Sequence, residues 1–265
     1  NCTNLRYLLL PCTIIKIGDN AFTKCNSLTS VVIPGSVTNI DNQAFYNCIG
    51  LTSVDIPSSV TRIGNYAFDS TALTSVEIPS SITSIGVGAF QDCTGIITIT
   101  GMEGVETIGS SAFQGCTSLT SVDIPSSVTT IGANAFRDCT SLTSVNIPSN
   151  VTTIGSSAFE SCTSLTSVTG MVGVTSIGDS VFQLCTSLNS ITIPSSVTSI
   201  SESLFAFCSS LNFVAIPSTV TLIGRRAFAS TALTSVEIPS SVTTIGNEAF
   251  NDCPSLTSVK FDEDS

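Results

Sequence analysis

The segment from Cys116 to Phe136 constrains the fold more than any other feature, because near-copies of it recur along the whole chain. The usual spacing is 23 residues, and aligning the copies on their phenylalanine gives eleven units across 265 residues. A periodic chain of this kind is a stack of one structural unit, so its length does not divide into ordinary domains. The aligned phenylalanines are Phe22, Phe45, Phe68, Phe90, Phe113, Phe136, Phe159, Phe182, Phe205, Phe228 and Phe250.

Two of the units are one residue shorter than the others, with a spacing of 22 residues, and both differ at the same site. Most units carry cysteine three residues after the phenylalanine, whereas these two carry Thr71 and Thr231. A hydroxyl and a thiol have similar size but different chemistry. Their exchange at one site therefore indicates that the site serves packing.

Each unit contains three segments with different patterns. Leu-x-x-Val-x-Ile, as in residues 119–124, alternates in polarity and is rich in β-branched residues, which predicts a short strand that the following proline ends. Val-x-x-Ile-Gly predicts a second, shorter extended piece followed by a tight turn at glycine. The near-helical spacing in Ala-Phe-x-x-Cys predicts a single helical or 3₁₀ turn.

A unit of 23 residues is too small to close a hydrophobic core, so neighbouring units must cover each other. Parallel pairing of identical strands, about 4.8 Å apart, would satisfy the backbone and align like side chains in columns. We therefore predict one solenoid over residues 1–265, with a parallel β-sheet on its concave face and helical or 3₁₀ turns on its convex face. No dedicated end caps are evident, and residues 262–265 form a short acidic end.

The repeated pattern Leu-x-x-Val-x-Ile-Pro-x-x-Val-x-x-Ile-Gly-x-x-Ala-Phe-x-x-Cys resembles the BspA-like (Treponema pallidum-type) subclass of leucine-rich repeat proteins. The resemblance covers essentially the whole chain. It implies an extracellular or cell-surface protein that binds a protein ligand from a host, from a matrix or from its own kind. It assigns no binding residue, because every position that matches the family pattern is a scaffold position.

Composition argues against several classes of function. A net charge of −11 with only eight Lys and Arg argues against nucleic-acid binding, which needs clustered cations. No apolar run reaches the 18 or so residues that would span a membrane, so we expect no membrane insertion. The chain has no histidine, which removes Ser/His/Asp and Cys/His catalysis and the usual zinc sites. We therefore expect no enzyme, no cofactor and no metal.

The cysteines form the most conspicuous chemical pattern, since ten of the eleven occupy one repeat position and only Cys12 lies elsewhere. In a stack they would form a column at spacings near those of disulfides, but with parallel Cβ vectors that oppose bridging. We interpret them as buried free thiols that act as small hydrophobic side chains. Disulfides and a thiolate metal site are the alternatives, and Cys12 is the thiol expected to be exposed.

The strand position between Val and Ile varies from unit to unit and faces outward in a strip. A solvated strip is the simplest interpretation. The strip also carries carboxylates, and aromatic side chains stand at the preceding outward position, where aromatic anchors would favour protein binding. We hypothesise that this concave strip binds protein through Tyr7, Asp55, Glu77, Asp123, Phe213 and Glu237.

Other readings remain open. Asn1 and Asn150 begin Asn-x-Thr sequences and are candidate glycosylation sites in a secreted protein. Self-similar units would also permit a structural building block that stacks end to end into filaments or a surface layer as a homo-oligomer. Regular threonine columns could bind ice or mineral, but only on a flat face.

Overall fold

The computed structural model describes residues 2–262 as a solenoid of about eleven turns, with 23 short strands and no helix among those residues. Two strands occur in most turns, and each pairs in parallel with its equivalents in the neighbouring turns. The odd-numbered strands, here called the concave sheet, are β1 (Tyr7–Leu9), β3 (Ser30–Val32), β5 (Ser53–Asp55), β7 (Ser75–Ile78), β9 (Thr98–Gly101), β11 (Ser121–Val122), β13 (Ser144–Ile147), β15 (Ser167–Gly170), β17 (Ser190–Thr192), β19 (Phe213–Ala215), β21 (Ser235–Ile238) and β23 (Ser258–Phe261).

The even-numbered strands form a second parallel ladder, here called the lateral sheet, and each contains two residues. Their second residue, an isoleucine, points into the core in nearly every turn. They are β2 (Lys16–Ile17), β4 (Asn39–Ile40), β6 (Arg62–Ile63), β8 (Ser84–Ile85), β10 (Thr107–Ile108), β12 (Thr130–Ile131), β14 (Thr153–Ile154), β16 (Ser176–Ile177), β18 (Ser199–Ile200), β20 (Leu222–Ile223) and β22 (Thr244–Ile245).

The register of the concave sheet places identical repeat positions opposite each other. Val122 lies between Ile99 and Val145, and all three side chains are buried. The residues on either side of Val122, Ser121 and Asp123, point outward and are exposed. The predicted strands and their alternation are therefore confirmed.

The third side of each turn, here called the turn face, differs from the prediction because it contains no helical or 3₁₀ turn. Two residues per unit, two positions before and two after the phenylalanine, have left-handed backbone angles. Around Phe136 they are Asn134, with φ of 57°, and Asp138, with φ of 59°. Left-handed residues at a spacing of four interrupt any run of helical dihedrals, so a helix cannot form.

Backbone hydrogen bonds explain what the turn face gains from this conformation. The N–H groups of Asn134, Phe136 and Asp138 donate to carbonyls of the next unit at 2.8–2.9 Å. The N–H groups of the intervening residues instead close tight turns within the unit, such as Arg137 to the Asn134 carbonyl at 3.1 Å. A helix would direct its N–H groups along its own axis, whereas this arrangement joins neighbouring units on the third side as well.

The core consists of columns of like side chains, and the phenylalanine column is its bulkiest part. Nine of its eleven rings are at most 1% exposed, and neighbouring rings stack with centroids 5.3–5.8 Å apart. Strands in a sheet are only about 4.8 Å apart, so the stack is longer on the turn face than on the sheets. The solenoid therefore curves with the turn face outside.

Pairing in the concave sheet stops between β5 and β7 and again between β19 and β21. Each interruption coincides with the missing residue of a 22-residue unit. This residue is lost between the cysteine site and the leucine that precedes β7 or β21. The connection is not lost, because the Thr74 N–H still donates to the Thr52 carbonyl at 3.3 Å. The deletion thus weakens the sheet locally while the stack continues.

A third interruption affects both sheets, between β15 and β17 and between β16 and β18. Here Ser201 replaces the glycine of the repeat, and its hydroxyl donates to the Ile177 carbonyl at 2.5 Å. In other units the glycine N–H reaches this carbonyl, as Gly224 reaches Ile200 at 2.7 Å. The two widest ring spacings, both 5.8 Å, meet at Phe182, where Val181 and Leu204 replace the alanine that precedes the phenylalanine in other units. Asp41 also replaces the glycine, and both sheets continue past it. The interruption therefore coincides with several bulkier side chains in neighbouring units.

The glycine column marks a place where consecutive units pass in backbone contact. A Cβ added to Gly132 would lie 2.5 Å from the Ser110 nitrogen and 2.7 Å from the Gly109 carbonyl carbon. Gly18, at the same repeat position in the first unit, has nothing within 4 Å of such a Cβ. Close approach of the backbone thus favours glycine at this position, which only Asp41 and Ser201 occupy in its place.

We expect Gly132→Ala to lower the free energy of unfolding by about 1–3 kcal/mol, the usual cost of overpacking. Gly18→Ala is the matched control and should change it by less than about 0.5 kcal/mol, as surface substitutions do. Urea unfolding followed by circular dichroism would measure both. Equal stability of the two variants would contradict the steric role of the column.

Candidate functional site

The cysteine column lies in the core, and its thiols are free and mostly buried. Eight cysteines are buried, Cys253 is partly buried, and Cys2 and Cys12 are exposed. Each buried thiol from Cys93 to Cys208 donates to the phenylalanine carbonyl of the preceding unit, as Cys139 does to Phe113 at 3.3 Å. The interpretation of the column as packing thiols is confirmed, and so is the exposure of Cys12.

The two shortened units keep this column intact with threonine. The Thr71 hydroxyl is buried, donates to the Phe68 carbonyl at 2.9 Å and lies 3.1 Å from Cys93 Sγ. Thr231 makes the equivalent contacts with Phe228 and Cys253. In full-length units the cysteine N–H makes the bond to the phenylalanine carbonyl. Threonine supplies that donor from its side chain.

Burial suppresses the reactivity of these thiols. It raises the pKa of Cys93 and Cys208 to about 12 and that of Cys48 to about 11. The pKa of Cys139 rises well above its usual range for the same reason. The thiolate is the reactive form, so Cys48 and the thiols from Cys93 to Cys208 are expected to react slowly at neutral pH. Residues 2–262 contain no group of three His, Cys, Asp or Glu side chains placed to hold a metal ion.

The outward residues of the concave sheet form the surface that the sequence singles out, and all six predicted binding residues lie on it. Their side chains are exposed, including Tyr7 at 77% and Phe213 at 59%. These two aromatics stand nine rungs apart, or about 43 Å at the usual strand spacing. The structure therefore divides the predicted set between two regions of one face.

The first region is larger than the sequence indicated. Strand register places Leu9 beside Val32 and Val32 beside Asp55, so an exposed apolar surface continues from Tyr7 to the first carboxylate. Leu9 is 89% exposed and Val32 is 63% exposed. Both occupy the variable strand position, which is the signal that could have found them.

Next to this apolar surface lies a shallow cavity of about 430 Å³, lined by Asp55, Glu77 and Glu103 together with Pro57 and Pro79. The sequence placed Asp55 and Glu77 on adjacent rungs but did not suggest Glu103. That residue follows Gly101 and Met102, which replace the usual Ile-Pro, so an irregular turn brings its carboxylate to the cavity. Asp123 lies two rungs beyond Glu77 on the same strip.

The second region surrounds Phe213. A cavity of about 430 Å³ is lined by Phe213, Ala215, Glu237, Pro239 and Asp262. Phe213 and Glu237 are thus brought together as the strip hypothesis expects, and Asp262 is an addition from the end of the described chain. Of the proposed glycosylation sites, Asn150 is exposed and its amide donates to the Ser126 carbonyl at 2.5 Å. Asn1 lies outside the described residues.

The ion pairs within residues 2–262 all lie away from the concave sheet. They include the pairs of Lys16 with Asp41 at 2.6 Å, Arg137 with Glu160 at 3.2 Å, Arg225 with Glu202 at 3.4 Å, and Arg226 with Glu248. The strand register places Lys260 beside Glu237 on the concave strip, but the two form no ion pair. The other carboxylates on and beside this strip are also without an ion pair in the described part of the chain, and they are Asp55, Glu77, Glu103, Asp123 and Asp262. On the other faces, the same holds for Asp19, Asp92, Glu106, Asp179 and Asp252.

The family described as BspA type leucine rich repeat region matches the chain in six copies, over residues 1–117, 61–188 and 175–265. The chain belongs to this family. Its members share the repeat that builds both sheets and the turn face, so the match accounts for the scaffold and not for the variable concave strip. No curated protein sequence matches the chain at a significant level.

Solved structures of bacterial leucine-rich repeat proteins resemble the whole solenoid. A leucine-rich repeat protein from Bacteroides ovatus is 29% identical over 97% of this chain and 73% of its own, with a TM-score of 0.78. A leucine rich cell surface protein from Faecalibacterium prausnitzii is 33% identical over 95% of this chain and 84% of its own, with a TM-score of 0.53. A leucine-rich repeat protein from Eubacterium ventriosum shares the fold at 23% identity over 97% of this chain and 85% of its own, with a TM-score of 0.61.

Between residues 2 and 262, the structure has no helix with the length and apolar character that crossing a membrane requires.

We predict that iodoacetamide at pH 8 will alkylate Cys2 and Cys12 fastest and Cys253 more slowly, and will leave the buried column unmodified. The exposed thiols are accessible, whereas burial keeps the others protonated and shielded. Peptide mass spectrometry would locate the label, and the same reaction in guanidinium chloride is the control in which every cysteine should react. Modification of Cys139 in the folded protein as fast as Cys12 would contradict the assignment.

Proposed function

We propose that the chain is a non-catalytic, extracellular or cell-surface module whose concave sheet binds a protein ligand. Two findings support the setting. The family is a scaffold repeat family, and a relative with 33% identity is described as a cell surface protein. The absence of histidine from the chain agrees with a role that needs no general base of that kind.

The observation that carries the proposal is the exposure of large apolar side chains on the outer face of a rigid sheet. Tyr7, Leu9, Val32 and Phe213 are each 59–89% exposed and occupy positions where most other units carry Ser, Thr or a charged residue. Large aromatic and aliphatic anchors contribute most to protein interfaces, while small polar side chains between them contribute little. The two regions therefore offer two anchor points on one face.

The scaffold favours binding because it needs little ordering. Backbone bonds join most neighbouring units on three sides, so the outward side chains of the paired strands are held at a fixed spacing before a ligand arrives. A preorganised surface loses less conformational entropy on association. A long ligand would contact both regions, whereas a small one would contact only the region around Tyr7 or the region around Phe213.

We expect Tyr7→Ala or Phe213→Ala to weaken binding at least tenfold, since anchors of this type contribute about 2 kcal/mol or more. Biolayer interferometry against a panel of purified extracellular matrix proteins, and against a second copy of the chain, would measure the effect. Ile15→Ala and Leu222→Ala are matched controls, because both residues are exposed outside the concave sheet and lie in the same units as the anchors.

If the chain binds a second copy of itself and none of the matrix proteins, self-association is favoured. Light scattering would then detect species larger than the monomer. Binding that is unchanged by both concave substitutions, or reduced equally by the lateral controls, would rule out the concave sheet as the binding surface.

A further inference from the structure

We propose that the ligand segment on the concave sheet is a cationic polypeptide, with apolar residues next to its basic ones. This inference rests on the proposed function and adds the chemistry of the partner. Charge complementarity, the two cavities and the apolar surface beside the first cavity support a partner of this kind.

The first observation is the unpaired negative charge beside the apolar anchors of the concave strip. Asp55, Glu77 and Asp123 are exposed on the strip, and none of them forms an ion pair within residues 2–262. Carboxylates on other faces, such as Asp92, also lack an ion pair in this range, but the strand register places Asp55 next to the exposed Val32. The concave face thus presents negative charge directly beside its anchors.

The second observation is the position of these carboxylates on adjacent rungs. Asp55 and Glu77 project from the neighbouring strands β5 and β7, which are not paired, and both line the same cavity, where like charges repel each other. Glu103 adds a third carboxylate to the same cavity. A bound cation would relieve this repulsion, so the ligand-free surface favours a positively charged partner.

The cavity walls indicate what kind of cation fits. Pro57 and Pro79 line the cavity beside the carboxylates, so the wall offers an apolar surface next to a charged one. The side chains of lysine and arginine have this combination of an apolar stem and a charged end. At the second cavity the ring of Phe213 adjoins Glu237 and Asp262, and an aromatic face beside carboxylates suits arginine in particular.

A polypeptide fits better than a small polyamine or a metal ion. The unpaired carboxylates from Asp55 to Asp123 extend over three rungs, about 14 Å, and join directly to the exposed Val32 and Leu9. A ligand that covers both surfaces needs apolar groups next to its cations. No group of three ligating side chains in residues 2–262 is placed for a metal ion.

The test uses the full chain and two fluorescent decapeptides, one of ten lysines and one of three leucines followed by seven lysines. Fluorescence anisotropy would measure their affinity at 50 and 300 mM NaCl. The site variant combines Asp55→Asn, Glu77→Gln and Asp123→Asn, which keep side-chain size on an exposed strip. The control combines Asp92→Asn, Glu106→Gln and Asp252→Asn, which remove the same charge from other faces.

We expect the site variant to weaken binding of both peptides by about tenfold at 50 mM NaCl, and the control by less than about twofold. The leucine-containing peptide should bind more tightly than ten lysines, and only this advantage should disappear in Leu9→Ala. Equal losses in the site and control variants would overturn the proposal, because net charge alone would then explain the binding. Spermine that competes as effectively as the peptides would overturn the polypeptide in favour of a small polyamine.

The outcome can be separated from that of the proposed function. If Tyr7→Ala weakens binding of a matrix protein while the site variant binds it normally, the concave sheet is the binding surface but its ligand is not cationic. If neither affects any ligand, the proposed function itself fails.

Discussion

The structure depends on hydrogen bonding between equivalent backbone groups of consecutive units. Both sheets and the turn face contribute such bonds, so most units are attached to their neighbours on three sides, and turn-face bonds continue where both sheets are interrupted. Close approach is a condition for this arrangement, and the glycine column provides it: a Cβ at Gly132 would meet backbone atoms of the preceding unit at 2.5 Å. Where Ser201 stands in that column and Val181 and Leu204 replace the alanine before the phenylalanine, both sheets are interrupted and the phenylalanine rings are farthest apart.

This constraint explains why the chain separates scaffold from surface so clearly. The stacked phenylalanines and the Cys93-to-Cys208 thiols lie in columns, and a change in one unit must be accommodated by the two beside it. Thr71 illustrates such an adjustment, because its hydroxyl donates to the Phe68 carbonyl, which in a full-length unit would accept the cysteine N–H. Outward positions carry no such restriction. Differences among units therefore accumulate at outward positions, and those of the concave strip include the exposed anchors Tyr7 and Phe213.

Much of the scaffold could be predicted because its signals are local and repeated. Alternation and β-branched residues gave both strands, and the repeat period gave their parallel register. The turn face could not be predicted in the same way. Its left-handed positions hold Asn134 and Asp138 in one unit, which suit that conformation, but Leu184 and Phe207 in others, which do not. Bonds to the next unit decide the backbone there, and a pattern within one unit does not contain them.

The candidate site was predictable to a similar extent. Strand alternation placed Asp55 and Glu77 on adjacent exposed rungs, because register follows from the repeat. It could not show that Glu103 lines the first cavity or that Asp262 lines the second. Glu103 follows an irregular turn, and Asp262 lies beyond the last strand, so the repeat pattern places neither of them. The separation of Tyr7 from Phe213, by contrast, follows from the nine repeat units between them and was therefore predictable.

Periodicity also makes the unpaired carboxylates informative. In a stack, a charge at one repeat position lies beside the same position of the next unit, so like charges on adjacent rungs destabilise the array unless a cation intervenes. On the turn face, Arg137 reaches Glu160 of the next unit and removes this cost. Asp55 and Glu77 have no such neighbour, although arginine or lysine at an outward position of the same strands would fit without disturbing the core. A local cost that the scaffold could readily avoid, next to exposed apolar anchors, is what a binding surface for a cation requires.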